Sequence, residues 1–288
     1  MRTRRAEVTA VKRRSAGGLK GDQDLVAAES PLSVLLRGTG DEREHAIGIL
    51  MRTPGDDEEL VTGFLYSEGL IREADDLADL SFAAGSRRSD TDVATVTLST
   101  DIPVTMDPLD RRAAATSACG LCGRLQMLAI DEGRRCPSGS PMITADTIAS
   151  LPGRLERGQK VFGETGGLHA AALLEVGGGR VLVREDVGRH NAVDKVIGAA
   201  LRRRWLPGHR LALAVSGRVA YEIVHKAVMA GLPAVVAIGA PSSLAVEAAR
   251  ATGLTLVGFV RDADFNVYAG WDRIIAEQRG IPPTTQVK

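Results

Sequence analysis

RLALAVSGRVAYEIVHKAVMAGLPAVVAIGAPSSLAVEAARATGLTLVGFV, at 210–260, is the stretch that decides the fold. Apolar runs at 211–215, 234–238 and 255–260 have the length of buried strands, and the segments between them, 219–230 and 243–251, have helical spacing. A βαβαβ alternation with loops this short calls for a parallel or mixed sheet covered by helices on both faces. The first strand ends in Ser216-Gly217-Arg218 and the second in Gly239-Ala240-Pro241-Ser242-Ser243. Junctions of this kind set hydroxyls and backbone N–H groups at the carboxyl ends of strands, where α/β sheets bind anions.

Working upstream, 168–175 and 180–184 flank Gly177-Gly178-Gly179, which is the signature of a hairpin. Helices follow from the patterns at 145–157 and 191–204. Between hairpin and helix lies Arg184-Glu185-Asp186-Val187-Gly188-Arg189-His190-Asn191, a third strand-to-helix junction at which Arg189 and His190 can add to the backbone donors. His169, at the beginning of a strand, reads as a structural hydrogen-bonding residue. Residues 145–288 are therefore expected to form one α/β domain.

The N-terminal part has a different pattern. Strands are expected at 26–36 and 45–52 around the turn Gly38-Thr39-Gly40-Asp41, and another at 92–99. A helix capped by Asp56 or Asp57 should run to Ser67, with Glu58 and Glu59 near its positive end. These elements make a small α+β domain over 21–105. Residues 1–20 carry seven basic side chains against one Glu7, with no apolar stretch behind them, and read as a disordered basic tail. Residues 106–144, rich in Arg, Ala, Gly and Ser with apolar periodicity only at 125–130, read as a mobile loop.

The chain's 288 residues suffice for one large domain or two modest ones, and 44% apolar with 25% charged residues is the balance of a soluble globular protein. Basic and acidic residues number 36 each, which argues against a nucleic-acid coat protein. No apolar run approaches the roughly 18 residues of a membrane span. Three cysteines are too few and of the wrong parity for a disulfide framework, so a cytoplasmic location is expected.

All three cysteines fall in the loop. In Thr116-Ser117-Ala118-Cys119-Gly120-Leu121-Cys122-Gly123 two thiols stand three positions apart and can reach one metal atom or each other. If Ser117 caps a helix, Cys119 lies in its first turn with Arg111, Arg112 and Arg124 nearby, a setting that favours the nucleophilic thiolate. Zinc would need two further ligands, and no second CxxC exists; Cys136 is the remaining thiol. A thioredoxin-type motif would follow a strand and open a βαβ helix, whereas here the alternating unit starts downstream. From the residues alone three readings stay open: a nucleophilic cysteine on a loop that moves to a partner, thiol–disulfide exchange, and a zinc-stabilised binding module.

CGLCG at 119–123, TGGLHAAAL at 165–173, REDVGRHNAVDKVIG at 184–198, SGRVAYEIVHKAVMAGLPAV at 216–235, APSSLAVEAA at 240–249 and GFVRDADFNVY at 258–268, in this order, closely resemble the formate dehydrogenase accessory sulfurtransferase family, FdhD. The resemblance begins at PGDDEELVTGFLYSEGLI, 54–71, and reaches Trp271. It implies a sulfurtransferase that carries sulfur from a cysteine desulfurase to the molybdenum cofactor, in its bis-molybdopterin guanine dinucleotide form, before that cofactor enters formate dehydrogenase. By position Cys119 would hold the persulfide and Cys122 would assist or receive it. The cofactor-binding segment would be Phe259, Val260, Arg261, Asp262, Ala263 and Asp264, joined by Arg189, His190 and Arg218, with GDP expected to mimic the cofactor. The resemblance further implies a cytidine deaminase-like C-terminal domain, no resident metal, and a homodimer. Two positions depart from the family pattern: Gly239 stands where Ser is usual, and Asp262-Ala263-Asp264 is unusually acidic for a segment facing an anionic dinucleotide.

Overall fold

The computed structural model describes residues 4–15, 18–38, 44–85, 91–99, 135–137 and 139–275. Cys119, Cys122 and the short helix expected at 125–130 lie outside the described residues.

The N-terminal elements are β1 (Ala6–Ser15), β2 (Gly18–Ala27), β3 (Ser30–Arg37), β4 (Glu44–Arg52), α1 (Asp57–Ser67), β5 (Leu77–Ala83) and β6 (Asp92–Leu98). They form a β1–β2 ribbon and a four-stranded sheet in the order β4-β3-β6-β5. Strict alternation decides the sheet's inner face: Leu32, Val34 and Leu36 of β3 and Ala94, Val96 and Leu98 of β6 are all buried. Arg52 closes this sheet from inside, donating to Asp57 at 2.7 Å and to Asp92 at 2.8 Å, with a further bond to the Ser30 hydroxyl.

Within the expected disordered tail, Ala6–Ser15 form strand β1 and Gly18–Lys20 open β2. Arg13 pairs with Asp22 of β2 at 2.6 Å across the ribbon, Gly18 opens β2 with a positive φ, and Arg5 anchors the base on Asp56 at 2.6 Å. The strand expected over 26–36 is divided for the same reason: its first residues pair with β1, its remainder with β4 and β6.

The C-terminal elements are β7 (Ile143–Thr144), α2 (Ala145–Gly158), α3 (Lys160–Thr165), β8 (His169–Glu175), β9 (Val181–Asp186), α4 (Arg189–Arg202), β10 (Leu211–Val215), α5 (Tyr221–Met229), β11 (Ala234–Ala237), α6 (Ser243–Thr252), β12 (Thr255–Arg261), β13 (Asp264–Ala269) and β14 (Ile274–Ile275). Six strands make one mixed sheet, ordered β13-β12-β11-β10-β8-β9. β10, β11 and β12 are parallel, β8 is antiparallel to β10, and β9 and β13 each run antiparallel to their neighbour. The carboxyl ends of β9, β10, β11 and β12 and the amino end of β8 therefore share one edge.

Alternate residues of these strands feed two cores. Ala170, Ala172, Ala212, Ala214 and Val236 pack with Ile148, Leu151 and Leu155 of α2. Ala171, Leu173, Leu213 and Val235 join α4, α5 and α6 on the other face, in a core that continues through α1 into the N-terminal sheet. α1 and α4 cross at two glycines. A Cβ on Gly63 would collide with the Asp194 carbonyl oxygen, and one on Gly198 with that of Glu59. Among the described residues no helix is long and apolar enough to cross a membrane.

Candidate functional site on the carboxyl edge of the sheet

The turn from β9 into α4 is fixed before any ligand arrives. Asp186 is wholly buried, and its carboxylate accepts from Lys195 at 2.7 Å, from the Gly188 and Thr53 amides at 2.9 and 3.1 Å, and from the Asn191 amide at 3.0 Å. Asn191 also donates to the Met51 carbonyl at 2.7 Å, and Val187 N–H to the Thr53 hydroxyl at 3.1 Å. The N-terminal sheet thus holds the residues on either side of Arg189 and His190. Gly188 caps α4 with no side-chain hydrogen bond, so no side chain at that position competes for the donors of its first turn.

The three junctions singled out in the sequence meet on this edge. The imidazole Nδ1 of His169 lies 3.2 Å, and Cδ of Arg189 3.8 Å, from where a Cβ on Gly217 would stand. A Cβ on Gly239 would stand 2.7 Å from the Gly217 carbonyl oxygen and 2.9 Å from the Arg218 nitrogen. Gly239 is needed because the strand-end backbones touch, whereas a side chain at Gly217 would press on the His169 ring. Phe259 N–H donates to the Gly239 carbonyl at 3.2 Å, which ties the end of β12 to the same row.

The segment 259–264 divides. Phe259 is 41% exposed with φ 55, left-handed backbone that a bulky side chain seldom adopts. Val260 is buried in the core on the α2 face, turned away from the surface. Arg261, Asp262, Ala263 and Asp264 are exposed in the irregular β12–β13 connection, with Arg261 paired to Asp264 in register.

Positive charge accumulates at the centre of the edge. Burial and then the Arg189 and Arg218 guanidiniums push His169 below its ordinary value, with Asp186 opposing. His190 is pushed down to about 3 by burial, then by Lys226, Arg189 and His169, and is therefore neutral at pH 7. Its Nε2 stands 3.9 Å from Glu222, and both this atom and Arg189 Nε are buried without a hydrogen-bond partner among the described residues. Deeper in, Lys226 donates to Asp194 at 2.8 and 3.0 Å and lies 3.8 Å from Glu68.

His169 is the residue that sequence reasoning passed over. Its position became visible only through pairing: because β8 is antiparallel to β10, its first residue falls on the carboxyl edge. The arrangement offers guanidiniums, imidazoles and glycine-lined backbone, which is chemistry for a polyanionic ligand.

Comparison with known proteins agrees over nearly the whole chain. Sulfur carrier protein FdhD of Nocardia farcinica is 45% identical over 266 residues, covering 90% of this chain and 91% of that protein. The protein of the same name from Sulfurisphaera tokodaii is 40% identical over 266 residues, covering 88% and 93%. A crystal structure from Desulfotalea psychrophila, assigned as a formate dehydrogenase accessory protein, superimposes with a TM-score of 0.70 at 25% identity, covering 94% of this chain and 99% of that one. Residues 27–275 match the model of the FdhD/NarQ family, and the chain belongs to that family.

Proposed function

We propose that this protein is a cytoplasmic sulfurtransferase serving formate dehydrogenase. The observation that carries the reading is the row of Gly217, His169, Arg189, Arg218 and Gly239 on one sheet edge of a chain whose relatives are named sulfur carriers. In this reading the edge binds the guanine dinucleotide form of the molybdenum cofactor as substrate. The CxxC at Cys119 and Cys122 brings the sulfur. The Cys119 thiolate attacks the outer sulfur of a desulfurase persulfide; a new S–S bond forms on Cys119, and the desulfurase cysteine leaves as thiolate. The bound substrate then supplies the electron pair that takes up the outer sulfur: the bond between Cys119 Sγ and that sulfur breaks and Cys119 leaves as thiolate, with Cys122 assisting. The strand order β9-β8-β10-β11-β12 supports kinship with the cytidine deaminase fold, and a homodimer is the proposed assembly.

The test is mass spectrometry of the purified protein after incubation with a cysteine desulfurase and free cysteine, without reductant. One added sulfur on the Cys119 peptide, absent from Cys119→Ala, is expected. A Cys119–Cys122 disulfide, or bound zinc, with no added sulfur would overturn the mechanism.

A further inference from the structure

We propose that His169 contacts the ligand, forming with Arg189 and Arg218 the cradle for the diphosphate of a guanine dinucleotide, and that it gains a proton when the diphosphate binds. The inference rests on the nucleotide-binding reading above and assigns one group of that ligand to one part of the edge.

The placement follows from charge. Asp262 and Asp264 are exposed at the β12–β13 end of the row, and their carboxylates repel a phosphoryl group. At the β8–β10 end the imidazole of His169 lies against Gly217, with Arg189 on the same glycine. The charged and titratable groups facing His169 are Arg189 from α4, Arg218 from the β10–α5 junction, Asp186 from the end of β9, and His190. Asp186 is the one carboxylate among them, and it is already engaged by Lys195, Asn191 and two backbone amides. Two guanidiniums therefore outweigh it. Arg189 Nε is moreover buried with no partner among the described residues, an unmet donor of the kind a phosphate oxygen satisfies.

Proton uptake follows from the same geometry. In the free protein the loss of water, and then the field of Arg189 with that of Arg218, disfavour imidazolium against the opposing Asp186. A bound diphosphate reverses that field and favours it. The sign is fixed: affinity rises as pH falls toward the free-protein value of His169, with at most one proton taken up per diphosphate.

GDP-mannose is the suitable probe, because its diphosphate diester lacks the terminal phosphate that titrates near pH 6. Isothermal titration of the full chain near pH 6.5, in buffers of differing ionisation enthalpy, should show net proton uptake. His169→Gln should lose the uptake, and with it the rise in GDP-mannose affinity that the wild-type protein shows as pH falls. Arg189→Ala and Arg218→Ala should each lower affinity for GDP-mannose about tenfold relative to guanosine, the size of one charge-assisted hydrogen bond. NMR titration of the His169 ring in the wild-type protein, with and without GDP-mannose, gives an answer even if His169→Gln does not fold. A His169 pKa that stays put, or uptake that survives in the variant, overturns the proposal while leaving nucleotide binding intact. No binding of either GDP-mannose or guanosine removes the nucleotide reading and this proposal with it.

Discussion

Lys226 on α5 donates to both carboxylate oxygens of Asp194 on α4, at 2.8 and 3.0 Å, and neither side chain is more than 5% exposed. The pair clamps together the two helices that begin at the candidate site, and Ser67 at the end of α1 adds a hydrogen bond to Asp194 at 2.9 Å. Asp194→Asn leaves an ammonium in the interior with Glu68, at 3.8 Å, and the more distant Glu222 as its remaining carboxylates. Breaking such a pair costs about 3–5 kcal/mol, whereas replacing both partners by apolar residues is often near neutral. Urea unfolding should therefore show Asp194→Leu with Lys226→Met to be more stable than Asp194→Asn alone; the reverse order would mean the charges themselves stabilise the fold.

The crossing of α1 over α4 predicts a sharp contrast among glycines. Gly63→Ala and Gly198→Ala each drive a methyl into backbone of the opposing helix, which has no rotamer with which to yield. Losses of about 1–3 kcal/mol or more are expected from such overpacking. Gly163→Ala in α3 meets nothing within 4 Å and should be neutral or mildly stabilising. Thermal unfolding of the three variants checks this.

His190 should make the protein acid-sensitive. Its value falls from 6.5 to about 3 on folding because burial and Lys226 disfavour imidazolium. Below about pH 6.5 the unfolded chain binds a proton that the folded chain refuses, so stability is full above that pH and declines as pH falls toward 3. The slope for one such group is about 1.4 kcal/mol per pH unit, or about 2 kcal/mol between pH 6.5 and pH 5. Unfolding free energies from denaturant titrations at pH 7 and pH 5 should differ by that much more in the wild-type protein than in His190→Asn.

Cys136 should be inert. Its Sγ donates to the Leu232 carbonyl at 3.4 Å, its N–H to that of Thr252 at 2.8 Å, and burial pushes its thiol up to about 11. Since the thiolate is the nucleophile, only about one in ten thousand such thiols is reactive at pH 7. Iodoacetamide labelling of the native protein, read by peptide mass spectrometry, should spare Cys136 until denaturant is added. Rapid native labelling there would show that the site opens.

Much of this architecture was legible because it is written in local periodicity. The runs at 211–215, 234–238 and 255–260 alternate with helical patterns, which calls for strands of a parallel or mixed sheet joined by crossover helices. The strand-end junctions at 188, 217 and 239 were legible for the same reason, since polar and glycine residues between buried elements have few other uses. β1 was missed because most of its residues are exposed and the consecutive Lys12-Arg13-Arg14 break the alternation begun by Ala6, Val8 and Ala10, and its support comes from Asp22 and Asp56. β13 was missed because it begins in the acidic turn at 264 and pairs only along one side of β12.

Sequence by itself determined the strand and helix periods, the CxxC and the three anion-suited junctions, since these depend on neighbours along the chain. Tertiary structure alone decided that β8 runs against β10 and so delivers His169 to the carboxyl edge. It also decided that Asp186 is held by residues as distant as Thr53, and that Lys226 and Asp194 share one dry interior. Those outcomes rest on pairing register and burial, and the field at a titratable group is set by whatever the fold brings near it, at any separation in sequence.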